Sequence, residues 1–208
     1  MRRIALIRHG PTDWNAAGRI QGHTDSELST HGRDTVSRWR IPAELRNYDW
    51  HASPLKRALQ TAQLLSGGTP TVTAALKEMH WGEWEGKLLT DLRKQLGAEF
   101  TENEARGLDF HPPGGETPRA VRARFAKWVT TVTKARQYVL GVTHKGVIRA
   151  ALSLATGWDM RGAPPDKLRW DCAHMFRIGA DGGFCVEYLN ISLSATNHVG
   201  SATRTDVV

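Results

Sequence analysis

Two histidines, His9 and His144, two arginines, Arg8 and Arg57, and one glutamate, Glu78, are the residue types from which a phosphoryl-transfer site can be assembled. In that chemistry charge gathers on the equatorial oxygens of the moving group, so catalysis is mainly positioning and electrostatic stabilisation. Arg8 and Arg57 offer planar forks to phosphate oxygens. A neutral His9 is a nucleophile that can form a phospho-imidazole and so split hydrolysis into two easier steps. His144, if protonated, adds a donor and a charge. Glu78 is the candidate general acid for the leaving oxygen. Its neighbours Trp81 and Trp84, with the charge of a bound phosphate, favour a carboxyl that holds its proton.

The elements that must position these residues are legible in order. Ile4 to Ile7 is an unbroken apolar run, too short for a helix and right for a buried strand, and it stops at Arg8-His9-Gly10-Pro11. Tyr138 to Thr143 is a second such strand, and it too ends in a histidine and a turn, His144-Lys145-Gly146. In open α/β sheets ligands bind outside the carboxyl ends of the strands. Asp49 to Ser53 reads as a short strand. Ser53-Pro54-Leu55 then predicts a helix, with Ser53 as its cap, Pro54 in its first turn and an apolar face of Leu55, Ala58, Leu59, Ala62 and Leu65. Arg57, in that first turn, reaches the same sheet end if the strands are parallel.

Further helices are expected from Ser29-Thr30 to Trp39, from Lys87 to Leu96, from Glu116 or Thr117 through Val132, and over Val147 to Leu154. Gly97 to Phe110 is polar and predicts a helix with a mobile end. Thr71 to Ala74 is expected as a third short strand, and Trp170 to Ile178 with Phe184 to Ile191 as a hairpin turning at 180–183. Residues from His198 onward lack periodicity and read as a loose tail.

Length and composition bound the reading. With 208 residues, 40% of them hydrophobic, the chain suits one domain, 1–208, with 88–116 as a lid or substrate insert and 198–208 as tail. No apolar run approaches a membrane span. Met1-Arg2-Arg3 followed by four apolar residues is too short, and broken too soon by Arg8, to be a signal peptide. Cys172 and Cys185 make neither a disulfide framework nor a zinc site, so a reducing cytoplasm is expected, with both thiols buried. The 28 Lys and Arg outnumber the 21 Asp and Glu, a formal charge of +7. That balance attracts anions, but the cations are scattered, which favours a small phosphorylated molecule over nucleic acid.

Along the chain stand Arg8-His9-Gly10 with Thr12 and Asn15; Gln21-Gly22; Ser53-Pro54-Leu55-Lys56-Arg57-Ala58 with Gln60-Thr61-Ala62; Leu76 with Glu78 and Gly82-Glu83-Trp84-Glu85-Gly86; Pro113-Gly114-Gly115-Glu116; and Thr143-His144-Lys145-Gly146-Val147-Ile148-Arg149. Jointly, these motifs resemble the histidine phosphatase superfamily, the phosphoglycerate-mutase-like fold. The resemblance implies an α/β, three-layer α/β/α sandwich with a mostly parallel central sheet and an antiparallel edge strand. It implies His9 as phosphorylated nucleophile, Glu78 as proton donor, and Arg8, Arg57 and His144 as phosphate pocket. Asn15, Gln21, Gly22 and Lys145 join as further substrate-binding positions. It also implies no metal and no diffusible cofactor. The chain departs from the family at His31-Gly32, where Leu-Gly is frequent, and at His80, which adjoins the proton donor.

The expectation is a cytoplasmic phosphomonoesterase of the histidine acid phosphatase type, monomer or homodimer, acting on a small phosphomonoester with neither nucleic acid nor membrane as partner. The alternatives are a cofactor-dependent phosphoglycerate mutase and a non-enzymatic phospho-ligand or protein-binding member of the fold. The short middle of the chain favours hydrolysis over the mutase. Glu83 and Glu85 read as structural or solvated, and Glu116 as a helix-start carboxylate. His23, His31, His51 and His111 read as surface residues, with His23 a minor candidate for reaching substrate.

Overall fold

The computed structural model describes residues 1–179 and 181–194. Its strands are β1 (Arg2–Arg8), β2 (Asp49–Ala52), β3 (Thr71–Val72), β4 (Tyr138–Thr143), β5 (Cys172–Ile178) and β6 (Phe184–Ser192). They form one six-stranded sheet in the order β3-β2-β4-β1-β5-β6. The first four in that order are parallel. β5 runs antiparallel to β1, and β6 antiparallel to β5. The expected antiparallel edge is therefore a whole hairpin.

The helices are α1 (Asp13–Ala16), α2 (Thr30–Arg38), α3 (Lys56–Ser66), α4 (Leu89–Leu96), α5 (Ala98–Glu104), α6 (Pro118–Ala135) and α7 (Lys145–Thr156). β1 and β4 read as continuous apolar runs because they are covered on both faces. Alternation sends Ile4, Leu6 and Val139 to a cluster with Phe125 and Val129 of α6 and Val147, Ile148 and Ala151 of α7. It sends Ala5, Ile7, Leu140 and Val142 the other way, to Ala58 and Ala62 of α3. The result is the three-layer α/β/α sandwich.

Several expectations change. β3 ends at Val72, because Ala74–Leu76 coils into a 3₁₀ turn that drives Leu76 into the core. The 97–110 stretch holds α5 and a 3₁₀ turn at Gly107–Asp109, and Phe100, Leu108 and Phe110 are buried. Phe100 packs on Trp84 and Phe110 on Trp81, with ring centroids 5.2 and 5.5 Å apart, so the segment is stitched to the core. His51 is buried against Trp128 and not on the surface. Cys172 is buried, which pushes its thiol up to about 11, but Cys185 is only half-buried. Ala180 of the hairpin turn and the expected tail lie outside the described residues. No helix among the described residues is long and apolar enough to cross a membrane.

Candidate active site

Sheet register brings the two histidines together. Arg8 of β1 lies opposite Thr143 of β4, and the ladder continues with His9 N–H donating to Thr143 O at 2.9 Å. The next residues, His9 and His144, therefore stand side by side, with ring centroids 5.1 Å apart. On the far side of β4, Ala52 of β2 pairs with Val142, and the following residue, Ser53, places its Oγ 2.8 Å from His144 Nε2. Three adjacent parallel strands thus end at one level, where α/β sheets bind ligands.

The tautomer of His9 follows from one contact. Its Nδ1 lies 2.7 Å from the Gly10 carbonyl. A carbonyl only accepts, so Nδ1 carries the proton and Nε2 keeps its lone pair. Burial holds the His9 imidazole well below its ordinary value, and the charges of Arg8 and Arg57 add to the effect. Thr61 Oγ1 accepts from the Gly10 N–H at 3.0 Å and fixes the turn from behind. His144 is also held well below its ordinary value, by burial first and then by His9 and Arg57. It is therefore neutral until an anion arrives beside it.

Arg57 is wholly buried, and its two terminal nitrogens donate to the carbonyls of Thr24 and Gly22 at 2.9 and 2.8 Å. Its Nε, the Nε of Arg8 and the Nδ1 of His144 are buried without a hydrogen-bond partner. Each costs about 1–3 kcal/mol if left so. Three orphaned donor or acceptor atoms at one sheet end mark the place where a ligand would supply partners.

Glu78 accepts from the N–H groups of Met79 at 2.8 Å and Gly146 at 3.0 Å, so its carboxylate sits at the N-terminus of α7 beside His144. A Cβ on Gly146 would strike that carboxylate, which explains the glycine there. Trp81 and Trp84, downstream of Glu78, are engaged with Phe110 and Phe100.

A profile of the Histidine phosphatase superfamily (branch 1) matches residues 4–190. The chain belongs to this superfamily. A 2,3-bisphosphoglycerate-dependent phosphoglycerate mutase of Azorhizobium caulinodans is 28% identical over 193 residues, 86% of this chain and 94% of the relative. A metal-independent phosphoserine phosphatase of Arabidopsis thaliana is 36% identical over 162 residues, 71% of this chain and 66% of the relative. Among solved structures, mycobacterial glucosyl-3-phosphoglycerate phosphatase complexed with VO3 superposes with a TM-score of 0.75 at 28% identity, covering 92% of this chain and 100% of that one.

Within the superfamily frame, the remaining expected positions divide. Asn15 Oδ1 closes a capping box with Thr12 at the start of α1. Gln21 Oε1 accepts from Thr12 and Ser26 at 3.1 and 2.7 Å. Gly22, at φ +54, gives its carbonyl to Arg57, and a Cβ there would strike Glu85. Lys145 is exposed, with its ammonium 5.3 Å from the Trp170 ring. Glu85 is structural as expected: it accepts from His23 N, Thr24 N, Thr24 Oγ1 and Trp81 N. Burial would raise the Glu85 carboxyl, but those hydrogen bonds bring it below its usual value.

Sequence reasoning missed three residues. Ser53 is not the cap of α3; the cap position is Leu55, and Asp25 Oδ1 takes the Lys56 N–H at 2.6 Å. Ser53 instead partners His144, a role its strand-terminal position beside that histidine could have signalled. Arg124 of α6 donates to the carbonyls of Ala75 and Glu78 at 2.7 and 3.1 Å and pairs with Glu116. Glu116 in turn accepts from His80 N at 3.0 Å, so it is more than a helix-start carboxylate. Trp170 lies under Arg8 as well as Lys145, with the Arg8 Cζ 5.7 Å from its ring centroid.

Proposed function

We propose that this protein hydrolyses small phosphomonoesters through a phosphohistidine on His9, with Glu78 as proton donor and no metal. The observation that carries the reading is the His9 tautomer: Nδ1–H is committed to Gly10 O, which leaves Nε2 as the nucleophile beside two arginines. In the first step His9 Nε2 bonds to phosphorus, the bond to the alkoxide oxygen breaks, and Glu78 gives that oxygen its proton. In the second, the Glu78 carboxylate takes a proton from water, the water oxygen bonds to phosphorus, and the N–P bond breaks. Arg8, Arg57 and a His144 that takes up a proton from solvent once the dianion lies beside it carry the charge a metal would otherwise balance. A reducing cytoplasm suits the two free cysteines.

The test is hydrolysis of p-nitrophenyl phosphate in the presence of EDTA. His9→Ala is expected to lower turnover by about 10⁴-fold or more, the scale of losing a nucleophile. Full activity in that variant would remove the reading. The mutase alternative is supported by the Azorhizobium relative, and a coupled assay for conversion of 3- to 2-phosphoglycerate separates the two.

A further inference from the structure

Beyond the phosphate pocket, the same cleft carries more positive charge than a phosphomonoester can neutralise. Arg8 ends β1 next to His9 and shares the Trp170 ring with Lys145, and Lys145 and Arg149 lie in the first turns of α7, at whose N-terminus the Glu78 carboxylate sits. A phosphomonoester brings about two negative charges. Arg8 and Arg57 suffice for it, and Lys145 and Arg149 are left over.

How those two cations are held is informative. Neither forms a salt bridge or a hydrogen bond among the described residues. Each rests instead on an indole: Lys145 Nζ lies 5.3 Å from the Trp170 ring centroid, and Arg149 Cζ 5.1 Å from that of Trp158. A carboxylate partner would spend the charge and the N–H donors. An aromatic face orients the cation and leaves both available. Lys145 shares its indole with Arg8, so it is fixed relative to the phosphate pocket. Arg149 follows one turn later on α7, at the spacing that puts two side chains on one face. Burial and then the mutual repulsion of Lys145, Arg149 and Arg8 lower the Lys145 ammonium, as expected of a cation cluster lacking its anion.

We infer that Lys145 and Arg149, seated on Trp170 and Trp158, form a second anion subsite, so that the substrates are phosphomonoesters bearing a further anionic group, a carboxylate or a second phosphate, close to the ester. This rests on the phosphohydrolase reading and narrows it. The subsite acts on binding, because its cations meet the part of the substrate that does not react.

Three esters with a two-carbon skeleton test it: 2-phosphoglycolate, 2-hydroxyethyl phosphate and 1,2-ethanediol bisphosphate. The parent should favour at least one of the two anionic esters over the neutral one by about tenfold or more in kcat/KM, the scale of one charge-assisted hydrogen bond. Which one is favoured identifies the group. Lys145→Met, a change at an exposed position, should collapse the ratio mainly through KM. Arg149→Met should do the same and Arg149→Lys should restore part of it. A ratio near one in the parent, or one that survives Lys145→Met, overturns the subsite. Titration calorimetry of the His9→Ala protein with the same esters reads the preference without turnover. An inactive parent whose His9→Ala form still prefers the anionic esters would defeat the hydrolase reading and leave the subsite standing.

Discussion

His144 and His174 are both wholly buried, one directly after β4 and the other within β5, the two strands that flank β1, yet their rings are treated differently. His174 is paired on both sides. Its Nε2–H donates to Arg169 O at 3.1 Å, and its Nδ1 accepts from Asn190 N at 3.3 Å. That second bond seats a register shift between β5 and β6, where Asn190 adopts φ +58 and its amide ties down Arg169 N and Lys167 O. His144 has one partner, Ser53, and a bare Nδ1, with His9, Arg57, Arg8 and Arg124 as electrostatic neighbours. The same side chain at the same depth is thus structural at one place and held open at the other. A chain that satisfies His174 completely has the means to satisfy His144, and the unmet hydrogen bond is better understood as kept for a ligand. His51 Nδ1 is also bare, but its ring packs on Trp128 and lines a separate cavity of about 510 Å³ with Asp49, Ser66 and Arg136.

The sharpest way to break this comparison is to exchange the consequences. His144→Ala should lower kcat by about 10²–10³-fold, the scale of removing one transition-state donor, while urea unfolding shifts little, because the lost ring had an unmet hydrogen bond. His174→Ala should do the reverse. It strands the Asn190 N–H and the Arg169 carbonyl, so about 2–5 kcal/mol of stability is expected to go, with activity per folded molecule reduced far less. If His144→Ala costs stability and spares kcat, the bare nitrogen has no functional meaning.

Acid sharpens the same contrast. Burial, opposed by the Arg169 hydrogen bond, lowers His174 from 6.5 to about 4. The unfolded chain then binds the proton more readily than the folded one, so stability is full above 6.5 and falls as the pH drops toward 4. The gap corresponds to about 3 kcal/mol lost across that window. His9 and His144 add to the loss in the same direction. Denaturant unfolding at neutral pH and near pH 4.5, compared between parent and His174→Asn, should show a shallower pH slope in the variant; equal slopes would place the titration elsewhere.

What the sequence made visible follows the range of the interactions. β1 and β4 declare themselves because burial on both faces leaves no polar interruption, and a histidine directly after each strand must lie near the other once the strands are parallel. Arg57 follows from α3 in the same way. Ser53 was ambiguous because serine before proline is also a good cap signal, and only its placement beside His144 decides the matter. The capping role of Asp25 on α3 joins residues far apart in sequence, so no local pattern records it. The 97–110 segment hid its core because Phe100, Leu108 and Phe110 occur singly, without a helical or strand period. Trp170 and Arg124 are illegible for the same reason, since each acts on groups that only the folded sheet brings near.

The smallest effect concerns Arg124, which braces the main chain around Glu78, the proposed general acid. Its guanidinium binds the main-chain carbonyls of Ala75 and of Glu78 itself and pairs with Glu116, while His23 Nε2 meets the same Glu78 carbonyl at 2.8 Å. Loss of this brace should misplace the carboxyl slightly and leave His9 untouched. A misplaced acid matters only when the leaving oxygen needs a proton. Arg124→Met is therefore expected to lower kcat by about tenfold on an alkyl phosphate, a fraction of the 10²–10⁴-fold a general acid supplies, and far less on p-nitrophenyl phosphate. Arg124→Lys should recover part of the alkyl rate through one retained hydrogen bond. Glu78→Gln, run alongside, sets the full size of the leaving-group effect. Equal losses on both esters in Arg124→Met would mean that the brace serves the fold alone.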